Sequence, residues 1–306
     1  MKKSVLSIAL ALVAFGAFAQ ESGGMTSKKG EAILPEANDW AISFDAAPVM
    51  TYLGQLVNNG GGNPSPGANW VNPGYMTITG KMFKDEKTAY RASIRLGMNS
   101  GHMSAMINDA SITVPPTYPN LPAMKEDKWS WSSRYIGLGG GIEMRRGKTR
   151  LQGFYGGEAM LWLSGMKNKF EYGNALSSTI GVAGNSTDFG ATATSTGSNI
   201  TTDSYGNAAR ITEDKPGSTF GIGLRGFIGA EYFIFPKIAV GAEYGWGLGI
   251  SSTGATKQSM ASVGGAPASP GTQSTTSGKS GGFELDNDIN GGSGTGTAAL
   301  KITLHF

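Results

Sequence analysis

The chain has 306 residues, including 48 glycines and no cysteine, and it carries a formal net charge of +3 with only 15% charged residues. The lack of cysteine excludes disulfides, thiolate metal sites and cysteine catalysis, and the near-neutral charge without a basic cluster argues against nucleic-acid binding. Abundant glycine with few charges suits a sheet protein that has crowded interior positions.

Residues 1–19 have the pattern of a secretory signal peptide. Two lysines precede an apolar run from Val5 to Phe15, and Ala17-Phe18-Ala19 fits the small-x-small cleavage pattern. The run is shorter than the roughly 20 apolar residues of a membrane-spanning helix. We therefore predict that a signal peptide is removed and that a polar lead, residues 20–38, lies in the periplasm.

Eight later segments alternate apolar and polar side chains with a period of two, which predicts β-strands that have one apolar face. These segments are Trp40 to about Leu53, Tyr75–Phe83, Tyr90–Met98, Arg134–Arg145, Leu151–Ser164, Thr219–Phe233, Ile238–Ile250 and 298–306. Each is near the roughly 9–11 residues that a tilted strand needs to cross a bilayer. No segment after the signal could form a spanning helix, so any crossing must use strands.

The connections between these segments alternate between short and long. The short ones are Lys84–Ala89, Arg146–Arg150 and Phe235–Lys237, and the long ones are 54–74, 99–133, 165–218 and 251–297. Short periplasmic turns and long extracellular loops are typical of outer-membrane barrels. We therefore predict that residues 39–306 form an all-β fold, an eight-stranded antiparallel up-and-down transmembrane β-barrel with both chain ends in the periplasm.

The long connections at 165–218 and 251–297 contain few large apolar residues. Alone they cannot bury enough surface to offset the entropy lost on ordering. We expect them either to be mobile or to become ordered against a partner.

A soluble β-sandwich would also alternate, but its apolar faces would share one core and its connections would not sort by length. The aromatic residues favour the barrel because they fall into two groups, as in the girdles at the two membrane interfaces. The group near the long loops is Trp70, Tyr75, Trp129, Trp131, Tyr135, Trp162 and Trp246, and the group near the short turns is Tyr90, Tyr232, Phe233, Phe235 and Phe306.

If the apolar faces meet lipid, the opposite faces line the lumen of the barrel. Eleven charged residues of both signs occupy those faces: Asp45, Lys81, Arg91, Arg95, Glu143, Arg145, Glu158, Arg225, Glu231, Glu243 and Lys301. The interior of an eight-stranded barrel is just wide enough for side chains to fill, and unpaired charges there would be costly. We predict a salt-bridged network that plugs the lumen; the alternative is a narrow ion path lined by the same charges.

The last segment alternates strictly and ends on an aromatic residue, with Leu300, Ile302, Leu304 and Phe306 on one face. In strand number, loop asymmetry, inward charges and this terminal strand, residues 38–306 resemble the small outer-membrane barrels of the OmpA transmembrane-domain, OmpX and OmpW kind. The resemblance implies the outer membrane of a Gram-negative bacterium, contact with its lipid and lipopolysaccharide, and recognition of this face by the barrel-assembly machinery. It is architectural and transfers no activity.

Little in the sequence favours chemistry. The two histidines, His102 in a long loop and His305 near the last residue, fall on opposite membrane faces, so we predict no catalytic, cofactor or metal site. Residues 286–291 resemble the start of a calcium loop through Asp286, Asp288 and Asn290. Thr297 stands where a calcium loop has its glutamate, so a turn-rich loop is favoured over a calcium site.

The loop at 99–133 is the strongest candidate for a docking surface. Pro115, Pro116 and Tyr118 stiffen it, and Trp129 and Trp131 stand at its base. The leading hypothesis is a non-enzymatic structural or interaction protein, and one form of this hypothesis makes it a subunit of a larger outer-membrane complex. The alternative is a narrow porin-like channel for small solutes or ions.

Overall fold

The computed structural model describes residues 25–46, 77–114, 116–192, 197–286 and 298–306. Within these ranges the chain is all-β with antiparallel pairing, which confirms the predicted class, and one short helical turn, α1 (Phe189–Thr192), interrupts it. No helix in these ranges has the length and apolar character needed to cross a membrane. The expected signal peptide lies outside the described residues.

Thirteen strands occur in the described ranges: β1 (Trp40–Asp45), β2 (Ile78–Asp85), β3 (Thr88–Asn108), β4 (Met124–Arg146), β5 (Leu151–Glu171), β6 (Ile200–Thr202), β7 (Ala208–Lys215), β8 (Thr219–Phe235), β9 (Ile238–Thr253), β10 (Lys257–Gly264), β11 (Ser269–Thr276), β12 (Ser280–Asp286) and β13 (Ala298–His305). Eight of them correspond to the predicted segments. The other five lie in stretches that we expected to be loops.

The eight expected strands form a closed circuit of pairings, which we call the ring. Strands β1 to β5 pair in sequence, β5 pairs with β8, β8 with β9, β9 with β13, and β13 returns to β1. The connections β2–β3, β4–β5 and β8–β9 are tight turns, as predicted. They lie together at one end of the ring.

Side chains of the ring alternate in exposure as the period of two predicts. On β8, Leu224 and Ile228 are 58% and 62% exposed, whereas the intervening Arg225 and Phe227 are buried. The same pattern holds on β3, where the apolar residues from Tyr90 to Met98 face outward. The predicted apolar faces therefore lie on the outside of the ring, and the charged faces lie inside it.

Strands β3, β4 and β5 continue well past the segments that the periodicity marked. Their extensions pair with one another, and β7 adds to the far end of β5. β10 and β6 pair with β7, and β11 pairs with β10. We call the described residues within 99–133, 165–215 and 254–279 the head. Much of the length predicted as loop is thus strand, which corrects both the loop assignments and the count of eight strands.

The head has a small core of its own. Trp129, Phe170, Phe189 and Ile211 form a buried cluster, although they come from strands and turns far apart in sequence. Beside it, the buried Asp127 carboxylate accepts hydrogen bonds from the backbone N–H groups of residues 173 and 187, at 2.8 and 2.7 Å. The described part of these connections therefore packs against itself, and binding of a partner to it stays a prediction.

Polar side chains complete this core. The buried Asn199 side chain accepts from the backbone N–H of Phe189 at 2.6 Å and donates to the Tyr172 hydroxyl at 2.9 Å. The Arg210 guanidinium lies over the Tyr172 ring, 4.3 Å from its centroid, and donates to the backbone oxygen of Asn174. Burial raises the pKa of the Tyr172 hydroxyl to about 12. These bonds satisfy polar groups that burial would otherwise penalise.

The N-terminal lead also packs against the ring, although its sequence shows no periodicity. Ile33 is buried against Phe233 and Ala239 at the end that carries the tight turns. The backbone N–H of Lys237 donates to the Ile33 oxygen at 3.2 Å, and the Lys237 ammonium pairs with Asp39. The described part of the predicted polar lead, residues 25–38, therefore covers the turn end of the ring.

Candidate functional site: the buried charge cluster

Nine of the predicted charges meet inside the ring in one connected network. Because their positions share the inward parity of each strand, seven different ring strands contribute to it. Its members are Lys81, Arg91, Glu143, Arg145, Glu158, Arg225, Glu231, Glu243 and Lys301. Eight of these residues are at most 4% exposed, and only Lys301 is partly exposed. We call this set the charge cluster.

Glu243 is the acceptor at one side of the charge cluster. Its carboxylate takes two hydrogen bonds from the Arg91 guanidinium at 2.7 and 3.0 Å, one from Arg225 at 2.9 Å and one from Lys301 at 2.9 Å. Arg225 also donates to Glu158, directly opposite it in the β5–β8 register, at 2.9 Å. Fork-shaped guanidinium donors suit such paired acceptance.

Glu143 and Glu231 are the acceptors at the other side. Lys81 donates to Glu143 at 2.8 Å, and Arg145 donates to the same carboxylate at 3.1 Å. Arg145 also pairs with Glu231, which lies on β8 across the interior. Arg91 lies within 3.6 Å of Glu143 and so joins the two sides. Each buried carboxylate therefore meets at least two cations, as buried charges require.

Glycine and aromatic residues make room for the charge cluster. A Cβ atom at Gly245 would overlap the guanidinium of Arg225, so the interior face needs glycine at this point. The Arg91 guanidinium lies 4.1 Å from the centroid of the Phe227 ring, and the Lys81 ammonium lies 4.9 Å from that of Phe154. Cation–π contact of this kind offsets part of the cost of desolvating the cations.

The two remaining predicted charges also lie at inward positions. Arg95 is buried, and its guanidinium lies 4.3 Å from the centroid of the Tyr135 ring. Asp45, on the short strand β1, is partly buried. Sequence parity alone therefore located all eleven residues on the interior face.

Apolar groups close the ring below the charge cluster, at the turn end. Phe83 and Phe233 are fully buried there, and the His305 ring lies between them with centroid distances of 5.4 and 5.1 Å. Ile33 from the N-terminal lead packs against Phe233. Above the charge cluster, Met160, Trp162 and Arg95 enclose a cavity of only 20 Å³. Buried side chains therefore occupy the described interior at the turn end, around the charge cluster and above it.

Two wider cavities adjoin each other where the ring meets the head. They measure 380 and 540 Å³, and both are lined by residues around Arg134 and Gly165. Lys167 and Lys215 line the larger one, and both pair with Glu213, at 2.9 and 2.5 Å. Hydrogen bonds from these two lysines, that from Lys215 first, lower the pKa of Glu213. Sequence reasoning missed this cleft because β7 was assigned to a loop.

The predicted docking residues separate into two groups. Trp129 is buried in the head core, and the Trp131 ring packs beside it at a tilt of 40° with ring centroids 4.4 Å apart, so neither stands at the base of a loop. Pro116 and Tyr118 are exposed in the β3–β4 connection, and Pro115 lies outside the described residues. The docking role of this connection stays a prediction, without Trp129 as an anchor.

The prediction of two aromatic girdles is partly wrong, because some of the residues assigned to the girdles face inward. Trp162 and Phe233 occupy inward positions and are buried, since they share parity with the charged residues of their strands. Outward aromatics do surround the turn end, where they are exposed: Trp40, Tyr90, Tyr232, Phe235 and Phe306. Trp246 is also exposed on the outer face. Trp70 and Tyr75 lie outside the described residues.

The terminal strand has the predicted alternation. Leu300, Leu304 and Phe306 are exposed on the outer face, and Ile302 shares their side. Thr303 faces inward, where its hydroxyl is 2.8 Å from that of Ser43 on β1. Recognition of this face by an assembly machinery stays a prediction.

The described residues add no support for chemistry at the two histidines or at the calcium-like segment. His102 lies on β3 of the head and not in a loop, and it is exposed, whereas His305 is buried at the turn end. Asp288 and Asn290 of the possible calcium loop lie outside the described residues. Within the described ranges, no three acidic or histidine side chains converge as a metal site would require.

Comparisons with known proteins add no relative. A scan against family models, a search of curated proteins and a search of solved structures each found no match for this chain. The functional argument therefore rests on the residues themselves.

Proposed function

We propose that the ring is an eight-stranded transmembrane β-barrel in the outer membrane of a Gram-negative bacterium. The observation that carries this proposal is the inverted polarity of the ring. Its outer face exposes a continuous set of large apolar side chains, and its inner face buries the charge cluster. Soluble proteins rarely expose contiguous apolar patches of more than a few hundred Å², whereas lipid-facing barrel surfaces are apolar throughout.

The height of the apolar face fits a bilayer. On β4 the outward positions between Arg134 and Arg146 hold no charged side chain, and twelve residue-to-residue steps lead from one arginine to the other. At about 3.3 Å per residue and a tilt of about 40°, this stretch spans roughly 30 Å, the thickness of a bilayer hydrocarbon core. The two arginines then lie near the two membrane surfaces.

The orientation follows from the ends of the ring. The tight turns, the N-terminal lead and the last residue lie at one end, and the head lies at the other. Outer-membrane barrels have short periplasmic turns and larger extracellular structures. We therefore place the lead in the periplasm and the head outside the cell. The sequence pattern of residues 1–19 supports secretion.

We propose further that the protein is non-enzymatic and acts through contacts and not through transport. The balanced charge cluster, the apolar groups below it and the aromatic groups above it occupy the interior at the three levels that the structure describes. A filled lumen favours a plug over the narrow porin-like channel.

The head offers the surface for such contacts. The tip of the β3–β4 connection exposes Val114, Tyr118 and Leu121, the last two at 97% and 89%. Tyrosine is one of the side chains most often found as an anchor at protein interfaces. We propose that this tip binds another protein at the outer-membrane surface. Lipid, lipopolysaccharide and, during assembly, the barrel-assembly machinery are the further expected partners.

Conductance tests the plug. We expect the purified protein in a planar lipid bilayer to give no discrete openings at physiological voltage. Discrete openings whose size changes in Arg95→Gln or Glu158→Gln would favour the channel instead.

Co-purification tests the contact function. We expect a partner in stoichiometric amount after affinity purification from detergent-solubilised outer membrane, and its loss from the double variant Tyr118→Ser/Leu121→Ser. Tyr205→Ser, at another exposed point of the head, is the matched control. Recovery of the barrel alone, or equal recovery of the partner with the tip variant, would contradict the proposed docking surface.

A further inference from the structure

The cleft around Arg134 lies at a break in the wall between β5 and its neighbours. β8 pairs with β5 up to Ser164, and β7 pairs with β5 from Asn168 onward. Between these pairings, Pro216–Ser218 leaves the ladder beside Gly165. The break forms the 540 Å³ cavity, whose lining includes the outward residues Arg134 and Lys167.

The register places this cleft one step above the apolar face. Outward residues that are paired across β3, β4 and β5 form rows. The row that contains Leu96 and Ile136 is apolar. The next row towards the head contains Arg134, and the row after it contains Lys167. If the ring spans a bilayer, these cations lie at the depth of the lipid headgroups. This inference therefore rests on the proposed membrane-spanning ring.

The charge of the cleft is positive. Lys167 and Lys215 share a single carboxylate, Glu213, and Arg134 has no ion pair within the described ranges. Gly165 leaves open the space beside the Arg134 side chain, since a Cβ atom there would lie 3.4 Å from Nε. Three cations against one anion leave an excess that an anionic ligand can neutralise.

The remaining lining suits a ligand with an apolar end. Serine hydroxyls at Ser132, Ser133 and Ser218 add hydrogen-bond donors, and Met98, in the same row as Arg134, and Met166 contribute apolar thioether side chains. A guanidinium group binds phosphate oxygens in a forked arrangement, and lysine adds point charges. We propose that this cleft binds the phosphate-bearing headgroup of an anionic membrane lipid, whose acyl chains run down the apolar face below it.

Native mass spectrometry of the full chain in detergent micelles tests this directly. Phosphatidylglycerol and phosphatidylcholine are added in equal amounts. We expect the unchanged protein to retain one phosphatidylglycerol in preference to phosphatidylcholine, and Arg134→Gln/Lys167→Gln to reduce its retention about tenfold. The control Lys128→Gln/Lys169→Gln removes the same charge from the same two strands outside the cleft, and we expect it to retain the lipid.

Three outcomes would overturn the proposal: no preference for phosphatidylglycerol, equal losses in both double variants, or displacement of the lipid by inorganic phosphate at similar concentration, which would mark a free-phosphate site. A shift in gel mobility on heating shows whether each variant is folded. Insertion into vesicles is measured separately. A protein that inserts but shows no preference fails this proposal alone, whereas one that never inserts fails the membrane proposal.

Discussion

Glu243 is the carboxylate on which the charge cluster most depends, because three cations donate to it. We expect Glu243→Gln to lower the free energy of unfolding by about 3–5 kcal/mol, since Arg91, Arg225 and Lys301 would lose their shared counter-charge in a buried site. Urea titration of the protein in lipid vesicles measures the effect. The exposed Glu126→Gln on β4 is the control, and equal effects of the two substitutions would contradict the inward placement of Glu243.

Asp203 makes one turn of the head sensitive to pH. Hydrogen bonds from the Asn207 side chain, the Ser262 hydroxyl and the backbone N–H groups of Asn207 and Tyr205 lower the pKa of this carboxyl from 3.8 to about 2. A lowered folded-state pKa means that the stabilisation is present above about pH 4 and is lost as pH falls towards 2.

We therefore expect protection of the Tyr205 and Asn207 amides against hydrogen exchange to fall between pH 4 and pH 2. Protection factors, which correct for the intrinsic exchange rate, measure this. In Asp203→Asn the pH dependence should disappear. Constant protection of the unchanged protein across this range would show that the Asp203 carboxylate does not hold the turn.

For single residues, the face of the strand on which a side chain lies could be predicted from the sequence. All eleven interior charges follow from strand parity, because a period of two assigns every side chain of a strand to one of two faces. Parity also places Trp162 and Phe233 inside, where an assignment by position along the strand put them in the outer girdles. Trp129 could not be assigned, because its strand continues beyond the apolar pattern into the head.

Among the elements, the N-terminal lead shows most clearly that a segment without a periodic sequence pattern can be held in place by packing. Residues 25–38 have no periodicity, and Ile33 is the buried side chain of their apolar contact with the ring, with Met25 and Leu34 partly buried against the same cluster. We expect Ile33→Ala to cost about 2–4 kcal/mol of stability through the cavity it leaves against Phe233 and Ala239.

Urea unfolding in vesicles checks this, with Ile112→Ala on the exposed head as control. A loss below about 0.5 kcal/mol, the range of ordinary surface substitutions, would show that the lead does not close the turn end.

The head strands could not be read from the sequence for a related reason. Alternation is visible only where one face is apolar, and the upper parts of β3, β4 and β5 carry serine, lysine and glutamate on the outer face. Their core uses one apolar residue from each of several distant segments and fills the rest with polar groups such as Asp127 and Asn199. Such a core depends on long-range pairing, which no local pattern records.

The whole molecule has three levels in the proposed account. A periplasmic lead closes the turn end, a membrane-spanning ring holds the charge cluster, and a head outside the cell carries the exposed tip and the phosphate cleft. The ring was predictable because its strands repeat one simple pattern. The head and the lead were not, because each is held by a few specific contacts.

The most direct test of the membrane-spanning ring places a charge on its outer face. Leu224 is exposed near the middle of the apolar stretch of β8, and we expect Leu224→Arg to lower the free energy of unfolding in phospholipid vesicles by about 2–4 kcal/mol. Leu121→Arg, at the exposed tip of the head, should change it by less than about 0.5 kcal/mol. If both substitutions are equally harmless, the apolar face does not meet lipid and the account is wrong.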